Sequence, residues 1–374
     1  MCNVLGNAEW QKTFRRRLLK WFSENDRKLP WRGTRDSYEI WVSEIMLQQT
    51  TTAAVEGYYR RFLERFPNVH SLAKAELEDV YRLWEGLGYY RRAAQLHKAA
   101  MAVVENHGGV FPQMFEHVLA LPGVGRYTAG AILSIAHDKR LPILEANTIR
   151  LHCRLLGVKT DPFELKTNLQ LWAFAEEVLP QKNVGIFNQA LMDLGSRVCL
   201  PKQPLCLGET SLFSCDAKKN ACPVADLCQC ARLGLQREIP VPKAKPVIEE
   251  ITEVAVLVRK RGKILLMQYP EGVRWAGLWD FPRCQAKSPD IFADSAIPKK
   301  LGELTGRSIT LVRPISTQKH AVTRFKITLQ FVEGEDCGPL QKPQYHVRWV
   351  KPEELEEIPL NSTGRKLAVE TQGR

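Results

Sequence analysis

The chain of 374 residues has no apolar run long enough for a membrane-spanning helix, and no basic amphipathic tail that would lie on a bilayer. Its first residues, MCNVLGNAEWQK, lack a charged segment followed by an apolar one, so no secretory signal is expected there. No repeat of solenoid type recurs along it. The expectation from these absences is an intracellular protein. In that compartment structural disulfides are rare, and clustered thiols read as metal ligands.

Hydrophobic residues make up 44% of the chain and charged residues 25%, an ordinary globular balance, and the length suits two domains. A formal net charge of +12 favours a polyanionic partner. Residues 8–236 read mostly as helix. In SYEIWVSEIMLQQTT the apolar residues Ile40, Trp41, Ile45 and Met46 or Leu47 recur at helical spacing, with Asp36 or Ser37 placed to cap the start. The segment REIPVPKAKPVIEE, residues 237–250, reads as an extended linker. Residues 251–374 change character. EVAVLVRKRGKILLMQY holds two β-rich runs around a tight turn, and SITLVRPI, RFKITLQFVEG and YHVRWV are further strands. Helices are expected near Asp294–Leu304 and Ser362–Val369, which makes this second domain α+β.

Two local features ask for particular physical objects. In LPGVGRYTAGAILSIA, Gly123 and Gly125 permit a tight turn that opens straight into a helix, whose backbone N–H groups and dipole suit a phosphate. Of the ten cysteines, six lie between Cys199 and Cys230. Cys199 and Cys206, then Cys222 and Cys228, form two spaced pairs, and four such thiolates suit either a [4Fe–4S] cluster or a zinc ion.

The runs WVSEIMLQQT, WEGLGYY, LPGVGRYTAGAILS, ANTIRLHCRLLG and FNQALMDLGSRVC, followed by the cysteine box, stand in sequence between Leu29 and Cys228. In that order they resemble the adenine DNA glycosylases of the MutY type, within the helix-hairpin-helix glycosylase superfamily. LWDFP, Leu278–Pro282, is similar to the Nudix-like recognition domain of that family. The resemblance covers nearly the whole chain. It implies a mainly α catalytic region over residues 8–236 with an iron–sulfur cluster loop at 199–230, the linker, and a Nudix-like α+β lesion reader over 251–374. It implies hydrolysis of the N-glycosidic bond of adenine mispaired with 8-oxoguanine or guanine in double-stranded DNA, by a DNA-associated monomer.

That chemistry can be compared with the residues. Adenine leaves readily only when protonated, and a carboxylic acid walled by apolar residues has the raised pKa that protonation at neutral pH requires. Glu44 sits among Trp41, Val42, Ile45 and Met46, and the resemblance puts the family's catalytic acid there. The departing base leaves an oxocarbenium-like sugar that wants a carboxylate nearby. Where the family pattern is D-G-N-V-x-R, this chain reads Glu145-Ala146-Asn147-Thr148-Ile149-Arg150, so Glu145 takes the Asp position and Asn147 the Asn position. Tyr127 replaces the lysine with which related enzymes form a Schiff base, which implies a glycosylase that does not cut the backbone. The resemblance further assigns the pocket for the flipped adenine to Arg27, Trp31, Leu47, Gln189 and Tyr127, and wedging into the base stack to Gln49 and Tyr89.

Three departures from the family pattern stand out. Fifteen residues separate Cys206 from Cys222, including Cys215. The ligand set is taken as Cys199, Cys206, Cys222 and Cys228, with Cys215 or Cys230 as alternatives. The lesion-reading tip reads His320-Ala321-Val322-Thr323-Arg324, where Thr323 offers a hydroxyl and Arg324 a cation for phosphate or a base edge. The region DIFADSAIPKKLGELTG lacks the glutamate-rich helix that Nudix hydrolysis requires. Three other readings stay open on sequence alone: a damage-binding scaffold weakened by Glu145, an endonuclease III-like glycosylase/lyase, and a zinc-stabilised DNA-binding protein.

Overall fold

The computed structural model describes residues 6–207, 222–242, 247–288, 290–322 and 324–372. They fall into two compact units, one of residues 1–73 with 98–244 and one of 74–97 with 245–374.

The first unit is helical. It holds α1 (Ala8–Asn25), α2 (Ser37–Leu47), α3 (Thr52–Arg65), α4 (Val69–Ala73), the part of α6 (Arg91–His107) from Lys98 onward, α7 (Phe115–Leu119), α8 (Arg126–His137), α9 (Ala146–Leu156), α10 (Leu165–Glu177), α11 (Val184–Arg197) and α12 (Gln229–Leu233). Between α4 and α6 lies α5 (Leu77–Trp84), which belongs to the second unit. Asp36 starts α2, its carboxylate accepting from the N–H groups of Tyr38 and Glu39 at 2.7 and 3.4 Å. Of the eleven residues of α2, Glu39 and Leu47 alone escape burial. A helix apolar nearly all round is a core helix, so most of its side chains, Glu44 included, go into the interior. Between α7 and α8 the chain turns at Gly123 with φ at +75°, a conformation that favours glycine, and Gly125 then caps α8. One core of this unit joins Phe14, Leu18, Leu151, Phe174, Phe187 and Leu194, from α1, α9, α10 and α11. Cys199, Cys228 and Cys230 are buried in that same core, so these three cysteines pack onto the bundle.

The second unit has a twisted sheet of β1 (Glu249–Lys260), β2 (Lys263–Gln268), β3 (Trp279–Asp280), β4 (Arg283–Gln285), β5 (Arg307–Val322), β6 (Phe325–Pro339) and β7 (His346–Val350). The order is β3-β2-β1-β6-β5, with β1 and β6 parallel and β5 and β6 antiparallel, while β4 pairs with β1 and β7 with β2. The β1–β2 turn places Arg261 and Gly262 at φ +49° and +75°, which suits the twist of a tight hairpin. One face of the sheet is covered by α13 (Ala296–Thr305) through Ile297, Leu301 and Leu304, the other by α14 (Ser362–Gln372) through Leu367 and Ala368. The α+β expectation is therefore met, and both expected helices form.

The LWDFP run is a buried staple. Asp280 is fully buried, accepts from Tyr269 Oη at 3.0 Å and Asn361 Nδ2 at 2.6 Å, and lies 3.1 Å from Arg283 Nε. Residues 74–97 join this unit through polar contacts. Trp279 Nε1 donates to Glu78 Oε1 at 2.8 Å, and Arg365 grips Glu85 with two bonds of 2.5 and 2.9 Å. Among the described residues no helix is long and apolar enough to cross a membrane.

Candidate active site and cysteine cavity

A cavity of about 390 Å³ opens in the first unit, and eight residues singled out by sequence line it together: Arg27, Trp31, Glu44, Leu47, Tyr127, Glu145, Asn147 and Gln189. They come from five places in the chain, so the fold assembles the cavity. Glu44 arrives on the buried helix α2, Tyr127 on the first turn of α8, Glu145 and Asn147 at the start of α9, and Gln189 on α11.

Glu44 is 5% exposed. Burial pushes its carboxyl pKa up to about 7; the hydrogen bond from Tyr127 opposes this, the nearby charge of Glu145 adds to it, and Arg32 opposes it. Tyr127 Oη donates to Glu44 Oε2 at 2.7 Å and touches Met192 Sδ at 3.2 Å. Burial, then the two glutamate charges, hold the phenol well above its ordinary pKa, so it stays a donor at neutral pH.

Glu145 is the N-cap of α9. Its Oε1 accepts from Thr148 N at 2.9 Å, and its Oε2 from Asn147 N at 2.9 Å and Asn147 Nδ2 at 3.2 Å. Burial raises its pKa, while the N–H groups of Asn147 and Thr148 and the charge of Arg150 work against that rise. Asn147 is held in turn by Arg150, whose Nη2 donates to Asn147 Oδ1 at 2.9 Å and to Gly195 O at 2.7 Å, and whose Nε donates to Cys199 O at 2.7 Å. Gly195 lets α11 approach this closely, because an added Cβ would stand 2.8 Å from Asn147 Cβ.

Sequence reasoning missed Arg32, Met192 and Asp193, which also line the cavity. The Asp193 side chain is 1% exposed and carries three arginines. Arg32 forms a fork on it with bonds of 2.7 and 2.9 Å, Arg27 Nη2 bonds Oδ1 at 2.6 Å, and Arg197 Nη1 stands 3.7 Å from Oδ2. A signal for Asp193 was present, since it lies four residues after Gln189 and so on the same face of α11.

The other sequence candidates lie elsewhere. Gln49 and Tyr89 are exposed, and both hold left-handed backbone, with φ +57° and +50°. That conformation is costly for residues other than glycine and concentrates at functional positions. Gly123 and Gly125 are exposed at the start of α8. In the second unit His320 and Val322 end β5. Burial, with Arg283, Arg274 and Lys366 nearby, lowers the His320 pKa to about 4. Arg324 Nε pairs with Glu249 Oε1 at 3.2 Å, and Thr323 lies outside the described residues.

Cys199, Cys206, Cys222 and Cys228 line one small cavity together with Arg154, Gln236, Leu151, Leu155, Val198 and Val224. Cys230 is fully buried in the adjoining core, and Cys215 lies outside the described residues. Arg154, 2% exposed, reaches Cys199 Sγ at 3.3 Å and holds the main-chain carbonyls of Leu200, Pro201, Gln236 and Ile239 at 2.7 to 2.8 Å. Gln236 Nε2 lies 3.9 Å from Cys206 Sγ. Four thiols with no carboxylate or imidazole among them make a soft donor set, which fits iron or zinc. Among the described residues no three His, Cys, Asp or Glu side chains stand close enough to share a single metal ion.

The chain matches the family model described as HhH-GPD superfamily base excision DNA repair protein over residues 42–177, and that of the NUDIX domain over residues 253–369. It is 32% identical to the adenine DNA glycosylase of Rattus norvegicus over 411 aligned residues, which cover 95% of this chain and 77% of that protein. The adenine DNA glycosylase of Homo sapiens is 32% identical, with 96% and 74% covered. That of Buchnera aphidicola subsp. Schizaphis graminum is 36% identical, with 74% and 77% covered. Among solved structures, a thermostable thymine-DNA glycosylase superposes with a TM-score of 0.52 at 28% identity, covering 60% of this chain and 98% of that one.

Proposed function

The chain belongs to the adenine DNA glycosylase family of base excision repair enzymes, and on that premise we propose that it removes adenine mispaired with 8-oxoguanine or guanine, with Glu44 as general acid and Glu145 as the carboxylate that steadies the sugar. The observation that carries this reading is the pair of glutamates in one cavity. One is held near neutrality by burial among apolar residues, and the other is anchored on a helix N-terminus.

The steps follow from those two environments. Adenine flips into the cavity, where Trp31 and Leu47 pack its faces and Arg27 and Gln189 bond its edge. Protonated Glu44 gives its proton to N7 of adenine. The C1′–N9 bond breaks, its electron pair leaves with the base, and positive charge builds on the sugar. Glu145, ionised and aimed by Asn147 and Thr148, offsets that charge. A water adds to C1′ and its proton returns to Glu44, which leaves an abasic site. Tyr127 has no amine to attack the sugar, so the backbone stays intact. Gln49 and Tyr89 wedge the stack. His320, Thr323 and Arg324 contact the base opposite, while Gly123 and Gly125 hold phosphate at the start of α8. The enzyme acts as a monomer.

Cys199, Cys206, Cys222 and Cys228 would hold a [4Fe–4S] cluster. Four thiols lining one cavity, with no oxygen or nitrogen ligand among them, support that assignment. Held by these four residues, such a cluster would link the segment after α11 to the start of α12. Brown protein with a broad visible band supports this, and colourless protein containing zinc overturns it.

The function is tested with duplexes holding adenine opposite 8-oxoguanine, guanine or thymine, treated with alkali to cut at abasic sites. Release from the first two and not the third is expected. Binding without release from any duplex would overturn the reading in favour of a damage-binding protein. A borohydride-trapped adduct would overturn the assignment of Tyr127.

A further inference from the structure

Glutamate is one methylene longer than aspartate, so where its carboxylate stands depends on how firmly the chain beneath it is fixed. Thr148 fixes it at three points. The Thr148 hydroxyl accepts from Glu145 N at 2.8 Å and donates to Glu145 O at 3.1 Å, while Thr148 N donates to Glu145 Oε1 at 2.9 Å. Thr148 is fully buried, so no water substitutes for its hydroxyl. The glutamate therefore folds back over the first turn of α9 and presents its carboxylate from the N-cap position.

We infer that Thr148 is a positioning residue for this reaction, pinning the main chain of Glu145 so that the longer side chain delivers its carboxylate to the sugar. This rests on the role proposed for Glu145. An ordinary capping role would strengthen α9 without regard to the bond being broken. A positioning role predicts an effect on the chemical step and not on affinity, and an effect that depends on which acid stands at 145.

The test is a double-mutant cycle of Thr148→Val and Glu145→Asp in the full-length protein. It is read by single-turnover adenine release and by affinity for a duplex carrying a non-hydrolysable adenosine analogue. Thr148→Val is expected to slow release about ten-fold with affinity little changed, because a displacement near one ångström is enough for such a loss. It should also lower the melting temperature, because Glu145 N and O lose a buried partner. Thr148→Ser, which keeps the hydroxyl, should stay within about two-fold of the parent, and in the Glu145→Asp background Thr148→Val should cost no more than about two-fold. Release by Thr148→Val at the parent rate, an additive cycle, or a slowing matched by an equal loss of affinity would each overturn the proposal. Thr148→Ala serves as a second hydroxyl-free variant if valine prevents folding. Glu145→Gln, run alongside, separates the two claims. If it leaves the rate unchanged, the role of Glu145 fails. If it slows release while Thr148→Val does not, only the role of Thr148 fails.

Discussion

Helix α2 and the start of α9 bring the same side chain into one cavity by opposite means. On α2, Glu44 sits in a stretch that is buried nearly all round, with Tyr127 Oη as its close donor. At α9, Glu145 stands on a helix N-terminus and takes three N–H bonds, two from the main chain. Burial pushes both carboxyls upward, but at Glu145 the N–H groups and Arg150 pull against it. An apolar helix thus makes an acid that keeps its proton near neutral pH, and a helix start makes a site suited to the charged form. Two identical residues thus sit in two different electrostatic settings within one cavity.

That comparison breaks first at Glu44. Glu44→Gln keeps the shape and removes the proton donor, and adenine release should fall about 1,000-fold, measured in single turnover with binding retained. Glu145→Gln removes the charge and keeps one oxygen that can accept from an N–H group of α9. A smaller loss, on the order of 100-fold, is expected in the same assay. The reverse order of the two losses would exchange the roles. The smallest effect sharpens the contrast. Tyr127 lowers the Glu44 pKa by donating to it, so Tyr127→Phe should raise that pKa further. The acid form persists below its pKa, so the alkaline fall in rate should move to higher pH in Tyr127→Phe, starting from a midpoint near 7 in the parent protein. A shift to lower pH would show that the phenol does not stabilise the Glu44 anion.

Much of the cavity was legible in sequence because its motifs are short and local. The apolar surroundings of Glu44, the Asp36 cap and the glycine turn before α8 each depend on neighbours within a few residues. The missing parts depend on contacts that only the folded backbone shows. Asp193 gathers Arg27 and Arg32 from more than 160 residues away, so although its place on the Gln189 face of α11 can be read from spacing, its arginine partners cannot. Thr148 looks like an ordinary helical residue until its hydroxyl is seen on the Glu145 main chain. Likewise, nothing in residues 74–97 signals their grouping with residues 245–374, because Glu78 and Glu85 meet Trp279 and Arg365 only in the folded chain.

The division of labour between the two glutamates is tested most directly by infrared titration of the protonated carboxyl band in the parent protein, Glu44→Gln and Glu145→Gln. A buried carboxyl band that survives at pH 6 and titrates near 7, absent in Glu44→Gln and retained in Glu145→Gln, is the predicted result. Removing the Glu145 charge should also move that midpoint downward, since the charge raises the Glu44 pKa. A band that disappears with Glu145→Gln and persists in Glu44→Gln would contradict the assignment.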